Sequence, residues 1–221
     1  MTEVITVQKI FFTKFLFEKI IGTSQIPTKI MTTNPKKILL FCGKRKSGKD
    51  YLTEWLQKSL NLKFEKNSTT ILRLSGPLKE CYAEDHGLDF SKLLDSSDYK
   101  EKYRKDMITW SEKIRNQNPS YFCLKAIQKY DKAKEFSIWI VSDCRRRTDF
   151  EFFDQNYPGK IVKIRVKALE ETRIKRGFSF QNGIDDAESE CGLDHEICDF
   201  ELENNETLVP EELFKPILDL L

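Results

Sequence analysis

A chain of 221 residues, 39% hydrophobic and 33% charged, reads as a soluble globular protein built round one sizeable core, with a single domain as the default. Its formal net charge is only +2, so no global basic field recommends nucleic acid or an anionic membrane as partner. Six cysteines without a repeated C-x-x-C suit reduced thiols in the cytosol, and Cys191, His195 and Cys198 lack the fourth ligand that a zinc site needs.

In chain order, residues 10–21 form an aromatic-rich amphipathic stretch, too short and too charged to span a bilayer. Glu3 and Glu18, with no arginine nearby, weaken a mitochondrial presequence, and no small-residue cleavage site of a secretory signal follows. Met31 offers an alternative start just before the composition changes. Residues 1–35 are therefore expected to be an extension, disordered or targeting, and residues 36–221 the working domain. The ending Asp219-Leu220-Leu221 is not of the Ser-Lys-Leu type, and a cytosolic location is expected with peroxisomal or mitochondrial targeting left open.

The apolar run at 37–42 predicts a buried strand, residues 51–60 a helix, and between them lies Gly43-Lys44-Arg45-Lys46-Ser47-Gly48-Lys49-Asp50. Strand, glycine loop and helix in that order make a phosphate cradle. Two glycines five apart let successive N–H groups face one anion, the helix start adds its positive dipole end, and Lys49 adds a full charge. The expected ligand is a nucleoside triphosphate. Asp50 stands where a Ser or Thr hydroxyl ordinarily ligates magnesium, and suits either the metal or the helix start. Lys44, Arg45 and Lys46 lie within reach of bound phosphates.

A strand at 70–75 ends in Arg73-Leu74-Ser75-Gly76-Pro77-Leu78-Lys79, a cationic turn fit to seat an acceptor. Helical patterns fill 77–115, with Lys100 and Arg104 one turn apart on one face, and a further helix over 119–129 opens on Asn118-Pro119. The strand at 137–141 runs into Ser142-Asp143-Cys144-Arg145-Arg146-Arg147, where Asp143 takes the position of a magnesium-orienting acid and Arg145 and Arg146 match phosphate oxygens. After a strand at 160–166, Arg173 and Arg176 precede an acidic, glycine-bounded segment that suits a lid over about 173–192. A last strand at 199–203 leads to Asn204-Asn205, amides suited to a base or a turn, and a helix starts at Pro210. This alternation predicts an α/β protein, a parallel sheet with helices on both faces and ligands beyond the carboxyl ends of its strands.

Gly43 to Asp50, Leu72 to Glu80, Tyr99-Lys100-Glu101 with Arg104 to Met107, and Asp185 to Asp194 together resemble the animal-type phosphomevalonate kinases, a nucleoside-monophosphate-kinase-like branch of the P-loop proteins. The resemblance covers about residues 37–221. It implies a three-layer P-loop NTPase fold with a five-stranded parallel sheet, acceptor-binding and lid segments, and a monomer. It also implies ATP and magnesium, and transfer of the γ-phosphoryl group to (R)-5-phosphomevalonate. Matched by position, Gly43, Lys44, Arg45, Lys46, Ser47, Gly48, Lys49 and Asp50 hold the nucleotide and Asn204 lies near adenine. Arg73, Lys100, Arg145, Arg146 and Arg176, with Arg104 beside Lys100, serve the acceptor or the moving phosphate. Transfer itself falls to Lys46, Lys49, Arg145, Arg146 and Arg176, and the metal to Asp50 and Asp143. A kinase of another phosphorylated acceptor is the nearest alternative. A GTPase-like switch is a further one, opposed by the lack of an Asn-Lys-x-Asp element.

Overall fold

Strand β1 (Lys37–Cys42) is apolar and buried from Ile38 onward because both its sides are covered. Ile38, Leu40 and Cys42 enter one hydrophobic cluster, Leu39 and Phe41 the other, as the two-residue period of a strand requires. In this computed structural model, which describes residues 35–64, 68–94, 98–130, 135–205 and 209–221, β1 lies at the centre of a five-stranded sheet. Its neighbours are β2 (Thr69–Leu72), β3 (Ile138–Val141), β4 (Ile161–Lys167) and β5 (Phe200–Glu203), in the order β2-β3-β1-β4-β5 with every pair parallel. The expected extension, up to residue 34, lies outside the described residues.

One face is covered by α1 (Lys49–Lys63) and the last helix, α9 (Pro210–Leu218). Leu52, Leu56 and Leu60 recur at helical spacing and are wholly buried with Phe214 and Ile217 of α9, each such side chain contributing about 1.5–3 kcal/mol. Helices α5 (Tyr121–Lys129) and α6 (Arg147–Asn156) cover the other face through Cys123, Ala126, Phe150 and Phe153. Between β2 and α5, α2 (Ser75–His86), α3 (Phe90–Leu94) and α4 (Asp98–Gln117) pack on one another round Tyr82, Leu93 and Met107. After β4 come two short helices, α7 (Glu170–Lys175) and α8 (Glu188–Cys191), with turns between them.

Several boundaries differ from the sequence reading. β2 stops at Leu72 because the Asp143 carboxylate accepts the N–H groups of Leu74 and Ser75, at 2.6 and 3.0 Å, and starts α2 there. Gly87, at φ 63°, ends α2 and separates the first of the helical stretches expected over 77–115 from the next. α5 begins at Tyr121, not at Pro119, since the Asn118 side chain accepts the Ser120 N–H at 3.1 Å and holds a turn. The cationic run at 145–147 opens α6, a helix absent from the sequence reading that buries Phe150, Phe152 and Phe153. No helix among the described residues is long and apolar enough to cross a membrane.

Candidate active site

The loop between β1 and α1 needs its glycines for space. A Cβ on Gly43 (φ 141°) would lie 2.3 Å from the Val166 carbonyl oxygen, and one on Gly48 (φ 88°) 2.2 Å from Asn204 Nδ2. Lys46, at φ 62°, also takes the left-handed conformation, while the Arg45 N–H is accepted by Glu190 Oε2 at 3.1 Å and the Ser47 N–H by Lys44 O at 3.2 Å. Two side chains brace the loop from beneath. Asn204 Nδ2 donates to Ser47 O at 2.9 Å, and Arg176 donates to Ser47 O at 3.2 Å and to Asn204 O at 3.0 Å. Asn204, expected near adenine, thus spends its amide on the loop, and its neighbour Asn205 lines the adjoining cavity of about 330 Å³ with Gly43, Lys44 and Val166. Lys49 is buried, and its ammonium donates to Gly43 O at 2.8 Å and to Lys44 O at 3.3 Å. Burial, helped by the Arg145 charge, lowers its pKa to about 8.

Two larger cavities meet at the start of α1. The first, about 510 Å³, opens over the loop and is lined by Arg45, Lys46, Gly48, Arg176, Gly177 and Ser179. The second, about 600 Å³, lies between the ends of β2 and β3 and helices α2 and α4. Lys49, Asp50, Lys100, Arg104 and Arg145 belong to both. The second cavity is strongly cationic: nine Lys or Arg side chains line it against two acids, Asp50 and Asp143. Desolvation, then repulsion from Lys79 and Arg104, brings Lys100 down to about 8, and burial lowers Lys79 as well. Such crowding costs free energy until anions enter.

The expected site residues gather here in different ways. Arg73 lines the second cavity while donating to Glu54 at 2.9 Å, and Arg104 is held by both oxygens of Glu101 at 2.7 and 2.5 Å. Arg146 is buried and paired with Glu112. The segment after α7 supplies acids: Asp185 lies 3.1 Å from Arg45, Glu190 2.6 Å from Arg145 and Asp194 2.6 Å from Lys44. Lys44 and Arg45 are therefore held by these acids, and Arg45 lines the first cavity together with Lys46 and Lys49. The Arg173 guanidinium lies over Phe178, 3.8 Å from the ring centre, and donates to Arg45 O at 2.9 Å, tying α7 to the loop.

Two residues of this site were missed in the sequence. Arg115 lines the second cavity and donates to Asp149 at 2.7 Å. Its signal was the stripe Lys100, Arg104, Ser111, Arg115 along α4, a helical spacing that places all four on that cavity. Asp149, wholly buried in the first turn of α6, also accepts the N–H groups of Arg145 and Arg146 at 2.9 and 3.0 Å. One carboxylate so orients three arginines. Among the described residues, no group of three or more His, Cys, Asp or Glu side chains forms a metal cluster. Asp50 sits in the first turn of α1, whose cap is Gly48 and uses no side-chain bond.

A triphosphate in the loop and a second anion among the cations of the neighbouring cavity would meet at Lys49 and Arg145, which line both. That is the working arrangement of a P-loop kinase acting on a small molecule. The profile of the phosphomevalonate kinase family matches residues 41–159, a span that includes the loop, α4 and the start of α6. The phosphomevalonate kinase of Drosophila melanogaster is 40% identical over 188 residues, which make up 84% of this chain and 96% of that protein. The chain belongs to the phosphomevalonate kinase family. Among solved structures, TT1252 from Thermus thermophilus aligns at 17% identity with a TM-score of 0.49, over 85% of this chain and 98% of that one. Shikimate kinase from Bacteroides thetaiotaomicron aligns at 11% identity with a TM-score of 0.40, over 83% and 97% of the two chains.

Proposed function

We infer that the chain transfers the γ-phosphoryl group of ATP to the phosphate of (R)-5-phosphomevalonate, giving ADP and 5-diphosphomevalonate on the mevalonate route to isoprenoids and sterols. Family membership supports the acceptor. The observation that carries the chemistry is the wall of Lys49, Asp50, Lys100, Arg104 and Arg145 shared by the two cavities. ATP phosphates lie in the loop, and the acceptor phosphate is held by Arg73, Lys100, Arg104, Arg115 and Arg146. The attacking phosphate oxygen is ionised near neutral pH and needs no general base, and neither histidine lines either cavity. Catalysis is positioning and charge neutralisation. Lys49 follows the γ-phosphoryl group, Arg145 bridges donor and acceptor, and Lys46 and Arg176 hold the donor side. Glu190 and Asp185 then exchange their arginine partners for solvent as phosphate oxygens arrive.

Magnesium, when bound, supplies neutralisation of the triphosphate oxygens. The residues fit it: Asp50 lines both cavities from the first turn of α1, and a cation held mostly by phosphate and water needs few protein carboxylates. Asp50 would hold it directly or through water. Asp143, with each oxygen already accepting a backbone N–H, would act through water. The same reading takes the chain as a cytosolic monomer, supported for the compartment by six free thiols. ADP release is the test, measured with phosphomevalonate and nucleoside monophosphates side by side. Turnover with phosphomevalonate is expected; turnover with a nucleotide alone would replace the acceptor, and slow hydrolysis unaffected by any acceptor would point to a switch protein.

A further inference from the structure

The end of β1 carries a second chemical feature that phosphoryl transfer does not use. Cys42, the last residue of that strand, is buried, and its Sγ lies 3.8 Å from Sγ of the half-buried Cys198, which precedes β5. These residues are 156 apart in sequence, so the fold alone brings them together. Arg165 holds the arrangement. It is the β4 partner of Cys42 in the sheet, and its guanidinium donates to the carbonyls of Leu193 and Glu196 at 2.7 and 2.6 Å, fixing the turn that delivers Cys198. We propose that Cys42 and Cys198 are a modification site, a thiol pair that a hydroperoxide oxidises to a disulfide, and that this bond weakens ATP binding through the phosphate loop.

The division of labour follows from burial and charge. The hydrogen bond from Cys42 and the nearby Arg165 guanidinium lower Cys198 to about 7, whereas the same bond and burial push Cys42 well up. Cys198 is the thiolate that attacks. It displaces hydroxide from the peroxide as the O–O bond breaks, becoming a sulfenic acid, and the hydroxide takes a proton to leave as water. Cys42 sulfur then attacks the oxidised sulfur. The S–S bond forms, the S–O bond breaks, and the departing hydroxide carries the Cys42 proton away as a second water, so two thiols lose the two electrons that the peroxide gains. Bond formation must draw the sulfurs in from 3.8 Å to about 2.05 Å. Gly43, the next residue, already lies against the Val166 carbonyl with no room for a Cβ, so the shift passes into the loop.

The test treats the reduced full-length chain with hydrogen peroxide, alkylates the remaining thiols and maps the peptides, a readout that holds whatever the acceptor is. A linkage between the Cys42 and Cys198 peptides is expected, together with a several-fold rise in KM for ATP, both reversed by dithiothreitol. Cys198→Ser should form no linkage, keep its KM through the treatment and show unmodified basal turnover. Cys42→Ser should instead accumulate sulfenic acid on Cys198, trapped by dimedone. Absence of the linkage while other cysteines oxidise overturns the site. A linkage that leaves KM for ATP unchanged, or equal loss in Cys198→Ser, overturns the coupling to the loop.

Discussion

Lys49 bears a cost and a function in the same ammonium group. It is buried, its pKa is drawn down to about 8, and it sits on the wall common to both cavities. Lys49→Met keeps the apolar stem and removes the charge that follows the moving phosphoryl group. Turnover should fall by roughly a hundredfold or more, equivalent to ~3 kcal/mol of transition-state stabilisation, while the thermal midpoint stays at or above that of the parent. Near-parental turnover in the folded variant would remove the loop from the mechanism. Asp50 separates two roles by a magnesium titration. Asn removes the charge, and Ser restores the hydroxyl usual at this position, so apparent magnesium affinity should drop in Asp50→Asn and partly return in Asp50→Ser. Identical titrations with parental turnover in both variants would leave Asp50 only a helix-start carboxylate.

At the scale of elements, two aspartates after β3 assemble the acceptor cavity. Asp143 starts α2 by accepting the N–H groups of Leu74 and Ser75, and Asp149 joins α4 to α6 through Arg115 while holding the backbone of Arg145 and Arg146. Asp149→Ala would leave the largely buried Arg115 without its counter-charge and two N–H groups without an acceptor. A loss of about 3–5 kcal/mol in urea unfolding is expected, the scale for one partner removed from a buried ion pair. A loss below ~1 kcal/mol would mean that water or Glu112 takes over, and that Asp149 does not organise the arginines.

For the whole molecule, the clustered cations make binding depend on pH with a definite sign. Lys49 and Lys100 have their pKa lowered from 10.5 to about 8, so between those values the unfolded chain holds more protons than the folded one. Their contribution to stability therefore rises with pH across that window, and below pH 8 their charging opposes folding. Bound polyanions restore the protonated lysines. Binding of ATP or acceptor near pH 8 should take up protons, seen by calorimetry in buffers of different ionisation enthalpy, and affinity should fall as pH rises beyond 8. Proton release on binding would contradict the cation cluster as the anchoring feature. Every described strand and every proposed ligand lies after residue 34. Deleting residues 1–28 is accordingly expected to leave turnover and thermal midpoint nearly unchanged, and a large loss of active protein would place that segment within the domain.

The sequence by itself determined the cradle and the sheet. The run Lys37 to Cys42, the two glycines of the loop and Lys49 are local signals, because strand burial, positive φ and a helix start depend on neighbours in the chain. It also offered four of the five residues on the shared wall as phosphate partners, Lys49 from the loop, Arg145 from its strand end, and Lys100 and Arg104 from their helical spacing and the family resemblance, with Asp50 beside them as a candidate for the metal. Only the tertiary structure decided which cation faces what. Asn204 braces Ser47, Lys44 and Arg45 pair with Asp194 and Asp185, and Arg115 enters the cavity from a helix whose charges look solvated when read alone. Cys42 meets Cys198 in the same way. Each of these pairings joins residues far apart in the chain, and a polar side chain's partner is set by which elements pack together, which no local period encodes.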